Sequence, residues 1–287
     1  MAKSVRARST LTGWGTRAVP VAAVVVLALA GAPMTSAGAT VSGAVTGPMT
    51  GSATTARTIS PGDTFHIQFA GRLDRTMNAS VYEVDCEDTP ASVVADLHRR
   101  GRTVVGYLSA GSWEDYRDDA AKFPAVVKGR VLDGWPHERW LDVRRMRILR
   151  PIVSARLDRC AAKGFDAVEF DNVDGYSNRT GFPLTKADQL RYDSWLARAA
   201  HRRGLQPGLK NSLGLVRDLV DDFDWALNEQ CVQYRECGRY RPFIDAGKAV
   251  FVLEYRVTVA HMCAVTTPLG LVAQKKHLNL DAWRVTC

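Results

Sequence analysis

The chain has 287 residues, 46% of them hydrophobic and 24% charged, and 38 lysines and arginines against 30 aspartates and glutamates give it a formal charge of +8. Residues 1–39 hold Lys3, Arg6, Arg8 and Arg17 and no acidic residue, so without them the charge falls by four to +4. That modest excess, with no interleaving of basic and aromatic residues, argues against a nucleic-acid partner.

Residues 1–39 read as an export signal. After the basic start comes an almost wholly apolar run over 19–32, interrupted by Pro20 and Gly31, and then the small residues Ala37, Gly38 and Ala39 for cleavage. The run is short for a membrane span, so a secreted, extracellular protein with no stable membrane insertion after signal cleavage is expected. Residues 40–60, rich in Thr, Ser, Ala and Gly, read as a flexible spacer, and residues 61–287 as one domain.

Within that domain, short apolar runs at 66–69, 80–85, 104–108, 139–143, 165–171, 206–211, 225–229 and 249–255 predict eight strands, most of them ending at a polar or charged residue. Helical spacing predicts helices over 89–100, 146–163, 190–203, 213–220 and 268–277. The first starts at Asp88-Thr89-Pro90, and Gly101, Gly164 and Gly204 stop the first three. Alternation of strand and helix with no second kind of module predicts an α/β fold, a single (β/α)8 TIM barrel preceded by a signal peptide. The arginine clusters at 144–147 and 201–203 then fall on helices of the outer ring and read as solvated faces.

All six cysteines follow residue 60, and an even count in an exported chain predicts disulfides. Cys231 and Cys237 flank a short turn, Cys263 and Cys287 staple the chain end to the loop after the last predicted strand, and Cys86 with Cys160 follows by elimination. No cysteine pair has zinc-ligand spacing, and the six histidines are scattered. No G-x-S-x-G elbow or glycine-rich phosphate loop lies in the domain.

The run from Phe165 to Tyr176 carries the most chemistry. An apolar strand signal ends in Glu169, Asp171, Asn172 and Asp174, followed by Gly175 and Tyr176. In parallel α/β folds chemistry collects where strands stop. Clustered carboxylates supply acid, base or nucleophile, and an aromatic ring can face a sugar. A solvated acidic turn is the bland alternative, and Asp174 in particular also suits a turn cap before Gly175.

Five segments resemble the motifs of glycoside hydrolase family 114, the endo-α-1,4-polygalactosaminidases. They are Tyr107-Leu108-Ser109-Ala110-Gly111-Ser112-Trp113-Glu114, the stretch from Gly134 to Asp142, that from Glu169 to Tyr176, Gly208-Leu209-Lys210-Asn211, and Asn228-Glu229-Gln230-Cys231, arriving in family order between about residues 62 and 256. Cys86 after Asp85 departs from the pattern. The resemblance implies a (β/α)8 barrel, endo-cleavage of α-1,4-linked galactosamine polymers, no metal or organic cofactor, and Asp171 and Glu229 as the catalytic pair, the first as nucleophile and the second as acid/base.

The residues themselves agree with that expectation. Asp171 and Glu229 close different strands two places apart, so they can face each other across a barrel mouth. Burial near Trp225 and Tyr255 would raise the pKa of Glu229. Substrate contact is expected of Asp85, Tyr107, Asn172, Asp174, Lys210, Asn211, Glu254 and Tyr255, each with a structural hydrogen bond as the competing role. A lysine facing a cationic sugar would repel it, so Lys210 suits a salt bridge to Asp171 or Glu229. Asp142 reads as structural, Trp113, Trp135 and Trp140 as stacking or core residues, and Trp195 as core. Asp85, Glu114, Asp171, Asp174, Glu229 and Glu254 together predict a negative mouth that attracts a cationic amino-sugar polysaccharide. A non-catalytic polysaccharide-binding barrel and a hydrolase of another α-glycan are the alternatives, and keeping both carboxylates favours an enzyme. A monomer is expected.

Overall fold

The computed structural model describes residues 58–287. The expected export signal and residues 40–57 of the expected spacer lie outside the described residues. Of that spacer, Ile59 is buried, and its amide donates to Gln206 Oε1.

In chain order the elements are β1 (Phe65–Ile67), β2 (Val81–Asp85), α1 (Ala91–Arg99), β3 (Thr103–Ser109), β4 (Ser112–Glu114), β5 (Lys128–Leu132), β6 (Trp135–Leu141), α2 (Met146–Ala162), β7 (Ala167–Asp171), α3 (Lys186–His201), β8 (Gln206–Lys210), α4 (Val216–Leu219), β9 (Trp225–Glu229), α5 (Arg241–Asp245), β10 (Val250–Glu254), α6 (Val259–Thr266), β11 (Val272–Lys276) and β12 (Arg284–Thr286). The main sheet runs β1-β2-β3-β7-β8-β9-β10-β11-β12, all parallel except that β12 pairs antiparallel with β11. β4, β6 and β5 form a separate antiparallel sheet.

The parallel sheet is curled. Phe65 of β1 stacks on Phe251 of β10 at 4.4 Å between ring centroids, although five strands lie between them in sheet order. Alternate residues of the strands, among them Ile67, Val81, Val105, Trp225 and Leu253, form this inner core. The other set, including Val84, Val104, Val168 and Val252, packs under the helices, with Leu149, Leu157 and Leu196 as their partners there. Gly208 is required on the inner face: a Cβ there would lie 2.3 Å from the Trp225 indole. α3 begins at a capping box in which Thr185 and Asp188 satisfy each other's backbone amides.

Two predicted elements are corrected. The run 139–143 is not a strand of the parallel sheet. It falls on the end of β6, where Glu138 and Trp140 are buried while His137 and Arg139 are exposed, the alternation of an antiparallel ribbon wet on one side. The predicted helix 268–277 is a single turn at Thr267–Leu269 followed by β11, which is the eighth parallel strand. Gly270, at a left-handed φ of 72°, stops the turn, and pairing with β10 outweighs the weak local preference of Val272–Lys276. The last helix comes earlier instead, as α6, started by the Thr258 side chain.

Three disulfides join Cys86 to Cys160, Cys231 to Cys237 and Cys263 to Cys287, at Cα separations of 5.7, 4.7 and 5.4 Å. The first ties the end of β2 to α2, the second closes the loop after β9, and the third anchors the chain end to α6. No helix among the described residues is long and apolar enough to cross a membrane.

Candidate active site

Asp171, Lys210 and Glu229 are the last residues of β7, β8 and β9, three consecutive strands of the sheet. Each is followed by a non-glycine residue in the left-handed region: Asn172 at φ 61°, Asn211 at φ 50° and Gln230 at φ 66°. Such residues cost on the order of 1 kcal/mol or more and persist where surroundings over-determine them. Here hydrogen bonds hold each one. Asn172 Nδ2 donates to Ser109 Oγ at 3.0 Å, Asn211 Oδ1 accepts from the Glu229 amide at 2.9 Å, and the Gln230 amide donates to Leu253 O at 2.8 Å. The chain turns sharply outward at each strand end and leaves the preceding charged side chain on the inner face.

Lys210 is the hub. Its Nζ lies 3.1 Å from Glu169 Oε1, 3.9 Å from Asp171 Oδ1 and 4.0 Å from Glu229 Oε2, with its side chain fully buried. Burial opposes a charged ammonium, but Asp171, Glu169, Glu229 and Glu83 outweigh it and hold the Lys210 pKa well above its ordinary value. Burial pushes the Glu229 carboxyl up, and the negative neighbours Asp171 and Glu169 add to this, against Lys210 and a hydrogen bond from Tyr255. Glu83, wholly buried beside Glu169, is pushed well above the carboxylate range by burial and by that neighbour. Tyr107 donates to Asp171 Oδ2 at 3.2 Å, and burial together with the nearby carboxylates raises both the Tyr107 and Tyr255 phenols, so each remains a neutral donor.

A buried polar chain backs Asp171. Asn172 Nδ2 also lies 3.5 Å from Asp171 Oδ2. Ser109 Oγ and Ser112 Oγ are 2.5 Å apart, and Ser112 donates to Glu138 Oε2 at 2.8 Å. Glu138, on β6, is pushed up to about 8 by burial and by Glu114. The approach is close: a Cβ on Gly111 would overlap the Asn172 carbonyl at 1.8 Å.

A cavity of about 540 Å³ opens beside Glu229, and Asp174, Tyr176, Asn211, Tyr234 and Arg239 also line it. Of the expected contact residues, Asp174 and Asn211 reach this cavity, whereas Tyr107, Asn172, Lys210 and Tyr255 hold or back the two carboxyls. Asp85 and Glu254 lie elsewhere. Both Asp85 oxygens accept from Arg117, at 3.0 and 2.9 Å, and Arg117 also binds Glu114 at 2.6 Å. Glu254 sits on the face opposite Leu253 and accepts from the Val232 amide at 2.7 Å, its carboxyl pushed up to about 7 by burial. Trp140 and Trp195 are core, and the Trp113 indole donates to Ala120 O under Lys128. The sequence motifs assign no role to Glu83, Glu138 or Tyr234, and they count Glu169 only among the clustered carboxylates. Glu169 was legible, because it shares the inner face with Asp171 two residues on.

Chemically, the arrangement offers two carboxyls on one inner face, bridged by a single ammonium. One of them is buried so that it holds a proton at higher pH, and the other receives a phenol and an amide. This division suits acid-assisted cleavage of a glycosidic bond. No group of three or more His, Cys, Asp or Glu side chains among the described residues is arranged to hold a metal ion.

Comparison with known proteins agrees with this chemistry. The profile of glycoside hydrolase family GH114 matches residues 47–287. The crystal structure of Ega3 from Aspergillus fumigatus, in complex with galactosamine, is 35% identical with a TM-score of 0.77 and covers 82% of this chain and 98% of that one. The glycoside hydrolase domain of PelA from Pseudomonas aeruginosa, 16% identical with a TM-score of 0.65 over 78% of this chain and 98% of its own, shares the fold. An uncharacterised protein of Deinococcus radiodurans is 32% identical over 181 residues, which span 54% of this chain and 57% of that relative's length.

Proposed function

The chain belongs to glycoside hydrolase family 114 and is a glycoside hydrolase, and from that premise we propose that it is a secreted enzyme that cleaves α-1,4-linked galactosamine polymers internally, with Asp171 as nucleophile and Glu229 as acid/base on a closed (β/α)8 barrel. The observation that carries this reading is the Lys210 ammonium lying within 4.0 Å of both carboxyls, of which Glu229 lines the cavity. The galactosamine bound in the Aspergillus relative supports the choice of sugar, and the three disulfides support an oxidising, extracellular destination.

In the proposed reaction, protonated Glu229 donates to the leaving glycosidic oxygen as that bond breaks, and Asp171 attacks the anomeric carbon to form a glycosyl ester. Glu229, now a carboxylate, takes a proton from water. The oxygen of that water displaces Asp171 and restores both groups. Lys210, Tyr107 and Asn172 orient Asp171 for attack, and Tyr255 orients Glu229.

Incubating the purified protein with α-1,4-galactosaminan, its fully N-acetylated form and chitosan, with products read by mass spectrometry, tests the substrate. Oligomers are expected from galactosaminan and none from chitosan. Activity should fall with added salt, which screens attraction between the cavity carboxyls and protonated amines over roughly 8 Å at physiological ionic strength. Equal, salt-insensitive cleavage of free-amine and acetylated polymers would instead indicate a neutral α-glycan.

A pH prediction follows from Tyr255. Its hydrogen bond favours the ionised form of Glu229, so removing it raises the Glu229 pKa further. The acid form then survives to higher pH, and Tyr255→Phe should move the alkaline limb of kcat/KM upward by about one pH unit. A limb that stays in place or moves down would exclude Glu229 as the group titrating there.

A further inference from the structure

We infer that Tyr234 is the stacking residue of a sugar-binding subsite beside Glu229, presented on a loop that the Cys231–Cys237 disulfide and Glu254 hold in place. The inference rests on the proposed function and extends it to a named galactosamine contact. Tyr234 follows Glu229 by five positions and lines the same cavity, yet its side chain is 45% exposed. Tyr176, on the same cavity, is half-buried, and three other nearby phenols are hydrogen-bonded. Tyr107, Tyr240 and Tyr255 are turned inward and donate to Asp171, the Asn211 carbonyl and Glu229 respectively. An apolar ring left open on the wall of a polar cavity suits the C–H face of a pyranose, which needs a flat apolar surface while its hydroxyls and amine find polar partners. Glu236 supplies such a partner from the same loop, and Arg239 another from the turn Cys237–Tyr240 that follows it.

An exposed ring on a loose loop would lose much of its binding energy to ordering. This loop is already ordered. The Tyr234 amide donates to Gln230 O at 3.0 Å, the Arg235 amide to Val232 O at 3.2 Å and the Glu236 amide to Cys231 O at 2.8 Å. Gln230 and Arg235 hold left-handed backbone at its two bends, and Gln230 Nε2 donates to Gln233 Oε1 at 2.7 Å. The disulfide joins the loop's ends at a sequence separation of six, and the buried Glu254 carboxyl accepts from the Val232 amide between them. Glu254 therefore serves the subsite from the far side of β10 without touching the cavity.

The test compares wild type, Tyr234→Phe and Tyr234→Ala on an α-1,4-linked galactosamine hexamer and on galactosaminan. Tyr234→Ala should raise KM about tenfold, the loss of one sugar–ring contact, with kcat changed less than about twofold. Tyr234→Phe, which keeps the ring, should remain within about twofold of wild type in both parameters. Titration of the same hexamer into Glu229→Gln, with and without Tyr234→Ala, should give the same tenfold loss as a dissociation constant, and the exposed position should leave Tm unchanged. Unchanged KM and binding in Tyr234→Ala, with wild type cleaving the hexamer, overturns this inference alone. Failure of wild type to bind or cleave either galactosamine substrate overturns the proposed function and this inference with it.

Discussion

Asp171→Asn and Glu229→Gln should each lower kcat by roughly a thousandfold or more, the scale on which nucleophilic and general-acid groups act, while leaving Tm close to wild type. Both substitutions keep shape. In Asp171→Asn, Lys210 retains its 3.1 Å partner Glu169, so no buried cation is stranded. In Glu229→Gln, the amide replaces a carboxyl whose burial already favours the neutral form. Steady-state rates on galactosaminan and thermal unfolding of the same preparations check both halves. Should Asp171→Asn keep wild-type turnover while Asp174→Asn loses it, the nucleophile belongs to Asp174, which lines the cavity.

Lys210→Met should damage stability as well as activity. The ammonium faces Glu169, Asp171 and Glu229 in a site where Lys210 and Glu169 are both wholly buried. Removing one partner of such a cluster leaves uncompensated charge and costs about 3–5 kcal/mol. For a domain of this size that lowers Tm by on the order of 10 °C. The sign with pH is fixed. A raised lysine pKa stabilises the fold at every pH below the ordinary lysine value, provided its carboxylate partners are charged. The deficit of the variant should therefore be full at pH 7 and shrink only as pH rises past the ordinary lysine value of about 10.4. Denaturant unfolding at pH 7 and at about pH 11 measures it, and a deficit that is equal or larger at the higher pH would show that lost packing, not charge, is responsible.

Much of the site was legible because it is local. A strand repeats every two residues, so the residue type at each strand end and its sharing of a face with Glu169 or Trp225 could be read along the chain. Asp171, Lys210 and Glu229 were read as strand-end residues that way, and they end β7, β8 and β9. The polar strand ends also marked β7, β8 and β9 within a residue or two. Other features depended on partners distant in sequence. Asp85 ends a parallel strand and points inward, but Arg117, thirty-two residues later, takes both its oxygens. Glu254 reads as a strand-end acid like Glu229. One step of alternation instead puts it behind the sheet, and only the curl of β9 against β10 says which face is inside. Glu138 reaches the Asp171 network because the antiparallel β4-β6-β5 ribbon folds back over β3, a contact no periodicity encodes. The stretch 268–277 carried no decisive preference. Its choice of strand was made by pairing with β10, since hydrogen bonds to a waiting strand outweigh the few tenths of a kcal/mol per residue that separate local propensities. Periodicity and strand-end chemistry were thus set by local sequence, whereas the identity of each polar group's partner was decided by long-range packing.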